Sequence, residues 1–316
     1  MKLYFAPLEG ITTNVYRNAH FEMFGGCDEY YAPFITPSDN EKITRKGLKD
    51  IFPEENRYNL KIQVLANKSE AFLKFEKKVA SLGYDEININ LGCPSSTVVK
   101  KGRGSGFLRE REALDNFLYE IFAQTNAKVS IKTRTGFHSS DEMDELMEIY
   151  NKYPLSLLII HPRARSDFYK GEPNMEIFQK AYQKSKNKVC YNGNVFNASD
   201  FEDICKNYAD IDSVMIGRGA IVNPAIFREL KGGKKITTDE LVEFSMLLLD
   251  RYNAVLRSDT YTLNKLKELW LYGMWNFPEE KKILKAIKKS DKLSDLVNAI
   301  HLLPERDPQV RIVYPW

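Results

Sequence analysis

Residues 128–163, KVSIKTRTGFHSSDEMDELMEIYNKYPLSLLIIHPR, hold the pattern on which the fold turns. A β-branched run, KVSIKTR, leads into a stretch whose apolar residues Met143, Leu146, Met147 and Tyr150 recur at spacings of three and four. A second apolar run, LSLLIIHP, follows. A short apolar run bounded by turn residues marks a strand and the three-and-four spacing marks a helix, so the segment reads as β–α–β, the unit of a parallel sheet. The same alternation extends in both directions. Upstream lie KLYFAP (2–7), CDEYYAPF (27–34), YNLKIQVLA (58–66) and YDEININLG (84–92); downstream lie NKVCYNGN (187–194) and DSVMIGRG (212–219). Helical patterns such as SEAFLKFEKKVASLG and LDNFLYEIFAQT separate most of them. Eight such strands with crossovers predict an α/β fold, a (β/α)8 TIM barrel. An open doubly wound sheet would carry G-x-G-x-x-G after its first strand, and PLEGITTN does not.

After Gly232 and Gly233 the pattern changes to ITTDELVEFSMLLLDRY, where Thr238 is expected to cap a helix with acidic residues in its first turn. Helical periodicity then runs to about His301. The predicted organisation is a catalytic barrel over 1–232 and a smaller, C-terminal all-helical domain over 233–316. With 43% hydrophobic and 28% charged residues the composition is that of a folded globular chain, not a disordered one. No apolar run approaches the roughly 20 residues of a membrane span. Pro7, Glu9 and Gly10 interrupt the N-terminus where a secretory signal would be apolar, so a cytoplasmic monomer is expected. The excess of positive charge lies in residues 231–316, with 15 Lys+Arg against 12 Asp+Glu.

The polar residues fall at the strand ends. Pro7, Leu8 and Glu9 follow the first strand, Gln63 lies in the third, Asn90 and Cys93 end the fourth and Lys132 the fifth. His161 ends the sixth, Asn192, Gly193 and Asn194 the seventh, and Gly217 with Arg218 the eighth. In a barrel the C-terminal strand ends share one mouth, so these positions converge. Taken alone, Lys132 reads as a snorkelling strand-end lysine and His161 as a hydrogen-bonded structural histidine. Together they fit a flavin, whose flat ring needs amide and cationic partners, with NGNV and IGRGA placed for its phosphate. The segment NLGCPSSTVVKKGRGSGFL (90–108) shows no apolar periodicity before Phe107, and its Cys93 sits on a glycine–proline turn suited to a proton donor or nucleophile. Cys27, Cys190 and Cys205 are expected to be small buried residues, and no metal-ligand spacing is present.

APLEGIT, QVLA, NINLGCPSSTVVKKGRGSGFL, IKTRTG, IHPRAR, YNGNV and IGRGAIVNP, in that order, resemble the tRNA-dihydrouridine synthase family. The resemblance implies FMN held by Pro7, Leu8, Glu9, Gln63, Lys132, His161, Asn192, Gly193, Asn194, Gly217 and Arg218, with NADPH or NADH as reductant. It implies Cys93 as the catalytic acid in reduction of the carbon 5–carbon 6 double bond of tRNA uridines. Asn90, Lys100, Lys101, Arg103, Arg163 and Arg165 are expected to face the RNA. Rivals are an FMN-dependent dihydropyrimidine or dihydroorotate dehydrogenase-like barrel acting on a free pyrimidine, a Schiff-base lyase using Lys132, and an RNA-binding module without chemistry. Within PEEKKILKAIKKSDK (278–292), Lys281, Lys285 and Lys288 recur at helical spacing opposite Ile283, Leu284 and Ile287, which reads either as a solvated face or as a phosphate-binding stripe.

Overall fold

The computed structural model describes residues 1–37, 48–306, 308 and 310; the last six residues of the expected C-terminal domain, 311–316, lie outside them. All eight predicted strands form: β1 (Lys2–Phe5), β2 (Glu29–Tyr31), β3 (Leu60–Val64), β4 (Glu86–Leu91), β5 (Lys128–Gly136), β6 (Leu158–Ala164), β7 (Val189–Tyr191) and β8 (Ser213–Ile216). They close in sequence order into a parallel barrel. Among the described helices none is long and apolar enough to cross a membrane.

Side chains alternate across a strand, and in a barrel one set faces inward. Tyr4, Tyr31, Ile159, Cys190 and Met215 pack into one buried cluster from β1, β2, β6, β7 and β8. In register, Ile159 stands beside Lys132, and Lys132 beside Asn90. In this layer the interior is apolar on β1, β2, β6, β7 and β8 and polar on β3, β4 and β5. On β4 the intervening Ile87, Ile89 and Leu91 are fully buried, which lets Asn88 and Asn90 occupy the inward positions of a strand with no exposed face.

Contacts divide the chain into two compact units that do not follow a cut at 232. One comprises 1–7, 29–193 and 208–215; the other 8–28, 194–207 and 216–316. The reason is aromatic packing within the second unit. Helix Asn14–Met23, a barrel helix by sequence order, meets helix Thr238–Leu256 through edge-on contacts of Tyr16 and Phe24 with Phe244, at 5.5 and 5.1 Å, and an Arg251–Glu22 ion pair. His20 on the same helix is fully buried against the Pro224 carbonyl, and burial holds its imidazole down to about 3, so it stays neutral. The helix cap is Thr237, one residue before the expected Thr238: Thr237 and Glu240 form a reciprocal capping box. Thr238 is buried and donates to the Arg306 carbonyl.

Candidate active site

Within the first unit the inward amides of β3 and β4 form a continuous hydrogen-bond chain. Asn90 Oδ1 accepts from the backbone N–H groups of Gly92 (3.0 Å) and Cys93 (2.9 Å). Asn90 Nδ2 donates to Gln63 Oε1 (2.8 Å), Gln63 Nε2 to Asn88 Oδ1 (2.7 Å), and Asn88 Nδ2 to Ser130 Oγ (3.0 Å). Backbone N–H groups can only donate, so the Cys93 turn sets the direction of every later link. The chain is shut off from water, with Gln63 at 0% and Asn88 at 1% exposure. A broken link there leaves a desolvated polar group, which costs about 1–3 kcal/mol.

Cys93 is half-buried at the start of a loop that is more compact than its sequence indicates. A short helix, Ser96–Val99, and a 3-10 segment, Gly104–Arg109, fold back on the cysteine, and residues 104–108 are buried. The Cys93 carbonyl accepts from the Ser105 N–H and Oγ. A Cβ on Gly104 would lie 2.8 Å from that carbonyl oxygen and one on Gly106 2.7 Å from the Val99 carbonyl oxygen, so these glycines serve packing although the segment shows no apolar periodicity before Phe107. On the outer side Lys100 and Lys101 are exposed. Arg103 is partly buried, with Nε bonded to Asn67 Oδ1 (3.2 Å), while Asn67 also ties down the carbonyls of Lys101 and Gly102.

β5 carries two inward cations. Lys132 forms no ion pair with any described acidic residue; burial, aided by the neighbouring Arg134 guanidinium, lowers its ammonium to about 8. Arg134, two residues on and therefore on the same face, was not singled out in the sequence; strand alternation from Lys132 was the available signal. It donates to the carbonyls of Gly92 and Ala164, at 2.9 Å each, and lies over the Tyr169 ring at 5.3 Å. His161 is buried beside Arg163, whose Nη1 is 3.3 Å from His161 Nε2. Arg163 is not on an exposed rim. It is 1% exposed and donates to the carbonyls of Lys170 (3.3 Å) and Gly171 (2.6 Å), because β6 turns its side chain under the following loop. Arg165 is only partly exposed, its guanidinium against Phe137 and Phe168. Asn192 Nδ2 donates to the Met215 carbonyl (2.8 Å), and a Cβ on Gly193 would lie 2.0 Å from the Tyr191 hydroxyl, so only glycine fits there.

In the second unit, Arg218 Nη2 donates to Asn194 Oδ1 (3.0 Å) and the guanidinium lies over Phe196. Gly217 immediately precedes the short helix Arg218–Val222. Leu8 closes a turn with Thr12, and Glu9 is exposed. Pro7, in the first unit, is partly buried. Of the remaining cysteines only Cys190 is fully buried; Cys27 and Cys205 keep partial exposure.

A closed parallel barrel whose interior turns from apolar to amide and cation on adjacent strands defines a (β/α)8-barrel enzyme. The family model for dihydrouridine synthase (Dus) matches residues 4–304. A Bacillus subtilis protein named probable tRNA-dihydrouridine synthase 2 is 26% identical over 307 residues, 93% of this chain and 92% of that one. A Staphylococcus aureus probable tRNA-dihydrouridine synthase is 25% identical over 283 residues, 84% of this chain and 81% of its own. Among solved structures, a histamine dehydrogenase from Rhizobium shares the fold with a TM-score of 0.56 at 11% identity, over 78% of this chain and 49% of that one. The chain belongs to the dihydrouridine synthase family.

Proposed function

We propose that this protein reduces the carbon 5–carbon 6 double bond of uridines in tRNA, using FMN, with NADPH or NADH as the source of reducing equivalents and Cys93 as the general acid. The observation that carries the reading is the position of Cys93. Its turn is held by Asn90 from one side and Ser105 from the other, next to two inward cations, of which Lys132 has no described carboxylate partner. The donor set fits a flavin: Lys132 offers a desolvated ammonium to an electron-rich ring edge, and the buried Gln63 amide holds Asn90 beside it. His161, Asn192 and Gly193 add polar groups on β6 and β7. Arg218 and Asn194, already joined in the second unit, are a cation and amide suited to phosphate. Flavin, when bound, supplies hydride chemistry.

The chain's own part is proton supply and positioning. Cys93 delivers its proton to carbon 5 as carbon 6 receives hydride, so the pyrimidine gains two hydrogens and the thiol is left as thiolate, to be reprotonated from solvent. A target uridine must leave the folded RNA to reach a barrel mouth. For the RNA itself, helix Lys281–Lys289 exposes Lys281, Lys282, Lys285, Lys288 and Lys289 while Ile283 and Ile287 are buried. Among the described residues none of these five lysines forms an ion pair, which favours tRNA over a free pyrimidine. The test is mass spectrometry of tRNA from cells with and without this gene, read position by position. Loss of dihydrouridine at a defined position supports the reading; unchanged tRNA removes it.

A further inference from the structure

In the loop after β6, Phe168 is the only residue other than Arg257, among those described, that holds positive φ without being glycine. Its φ of 52° and ψ of −100° lie outside the region that L side chains favour, so the surrounding structure must impose them. It does so densely. The Phe168 N–H donates to the Arg165 carbonyl (3.1 Å), the Lys170 N–H to the Asp167 carbonyl (2.8 Å), and Asp167 Oδ2 accepts from the Ala164 N–H (2.8 Å). Buried Arg163 grips the far side of the loop through the Gly171 carbonyl. The result of this effort is an aromatic ring that is 42% exposed. Glycine would hold this backbone without strain, so a ring so largely open to solvent is not called for by packing alone.

The ring also ends a stack. The Arg109 guanidinium lies 4.7 Å from the Phe137 centroid, Arg165 lies 5.4 Å from the same ring, and Arg165 lies 4.9 Å from Phe168. Cations and rings thus alternate, and the series stops at Phe168 with solvent beyond. Tyr169, next in sequence and 37% exposed, sits over Arg134, whose Nε donates to the Gly92 carbonyl beside Cys93. The residue next to the strained ring is therefore tied, through Arg134, to the loop that carries the acid.

We propose that Phe168 is a stacking platform for a nucleobase of the RNA substrate, adjacent to the uridine being reduced, with Arg165 beneath the ring adding positive charge for the neighbouring phosphate. This rests on the tRNA reading above. Base-on-aromatic stacking is tolerant of sequence and suits nucleotides that have left their helix.

The decisive variant is Phe168→Gly in the flavin-loaded protein, because glycine accepts the backbone conformation and removes only the ring. The melting temperature is expected to stay level or rise. tRNA affinity is expected to fall by roughly 5- to 150-fold, the range for losing one stacked base. The slope of log affinity against log salt should not change, since no phosphate contact is lost. Phe168→Trp is expected to bind tRNA at least as tightly as the parent, and Phe168→Leu to resemble the glycine variant. A glycine variant that melts lower shows a packing role and overturns the proposal, as does one with parental tRNA affinity or one whose defect lies in the KM for NADPH. A parent protein that never reduces tRNA defeats the functional reading instead, a result distinguishable from all of these.

Discussion

Two lysines in one barrel meet opposite fates. Lys61, on β3 toward the N-terminal end of the barrel, is bridged to Glu86 at 2.7 Å and Glu29 at 3.7 Å. Although burial pulls its ammonium down, those carboxylates raise it above the ordinary lysine value. Around it Tyr31 donates to Glu29, Ser156 to Glu86 and Tyr4 to Asp212, so each carboxylate at that end has a donor. Lys132, toward the other end, has no carboxylate and a second cation beside it, and its ammonium falls to about 8. The first arrangement stabilises the protein by itself. The second is incomplete without a ligand, and in a (β/α)8 barrel that asymmetry separates the face that holds the fold from the face that works.

The sharpest way to break this contrast is at the mouth. Cys93→Ala is expected to slow uridine reduction by pre-reduced protein by about two to four orders of magnitude, the range for losing a general acid, while tRNA binding and melting temperature hold. Parental single-turnover rates would remove the thiol from the reaction. Asn88→Leu never reaches substrate, yet it strands the Gln63 amide and loosens the Asn90 acceptor. A fall of about tenfold in the same rate is expected, with little further loss when combined with Asn90→Leu, because both act through one chain. Multiplying effects would show that the links are independent.

Stability should separate the two lysines by sign. Lys61→Met leaves Glu29 and Glu86 facing each other and is expected to cost about 3–5 kcal/mol, seen as a lower denaturation midpoint. Lys132→Met in flavin-free protein should raise that midpoint near neutrality, while flavin retention falls. The pH dependence follows from the depressed value. Below about 8 the folded state carries the whole cost of a desolvated ammonium; between about 8 and the ordinary lysine value the folded state sheds its proton before the unfolded chain does. Stability of the parent therefore gains with pH in that window, and the advantage of Lys132→Met shrinks. An advantage independent of pH would mean that Lys132 is not the desolvated group. The smallest effect concerns the helix Lys281–Lys289: Lys281→Glu with Lys285→Glu should flatten the salt slope of tRNA binding by about 0.7–0.9 per lysine engaged, and overlaid titrations would reduce the stripe to a solvated face.

The barrel was legible because each strand announces itself by a short apolar run and each helix by period 3.6. Gln63, Asn90, Lys132 and His161 stood out because polar side chains at strand ends are costly unless used. Other features depend on contacts between distant residues. The burial of Arg163 needs the carbonyls of Lys170 and Gly171, and the part played by Asn88 needs Gln63 on the next strand. The packing of Gly104 and Gly106 needs the loop to fold back on Cys93. The partner of helix Asn14–Met23 depends on distant residues too: the helix is amphipathic like any barrel helix, and only Phe244 shows where it packs. Thr237 as cap was within reach, since Thr-x-x-Glu fits 237–240 and not 238–241.

What the mouth accepts decides between a tRNA enzyme and a free-pyrimidine dehydrogenase. Purified, flavin-loaded protein supplied with NADPH should be offered unmodified tRNA and, separately, free uridine, uracil and orotate, with products counted by mass spectrometry. Dihydrouridine is expected in the tRNA, at a defined position, with the free pyrimidines left essentially unreduced. Reduction of a free pyrimidine while the tRNA stays unmodified would contradict the account and return the chain to the dehydrogenase reading.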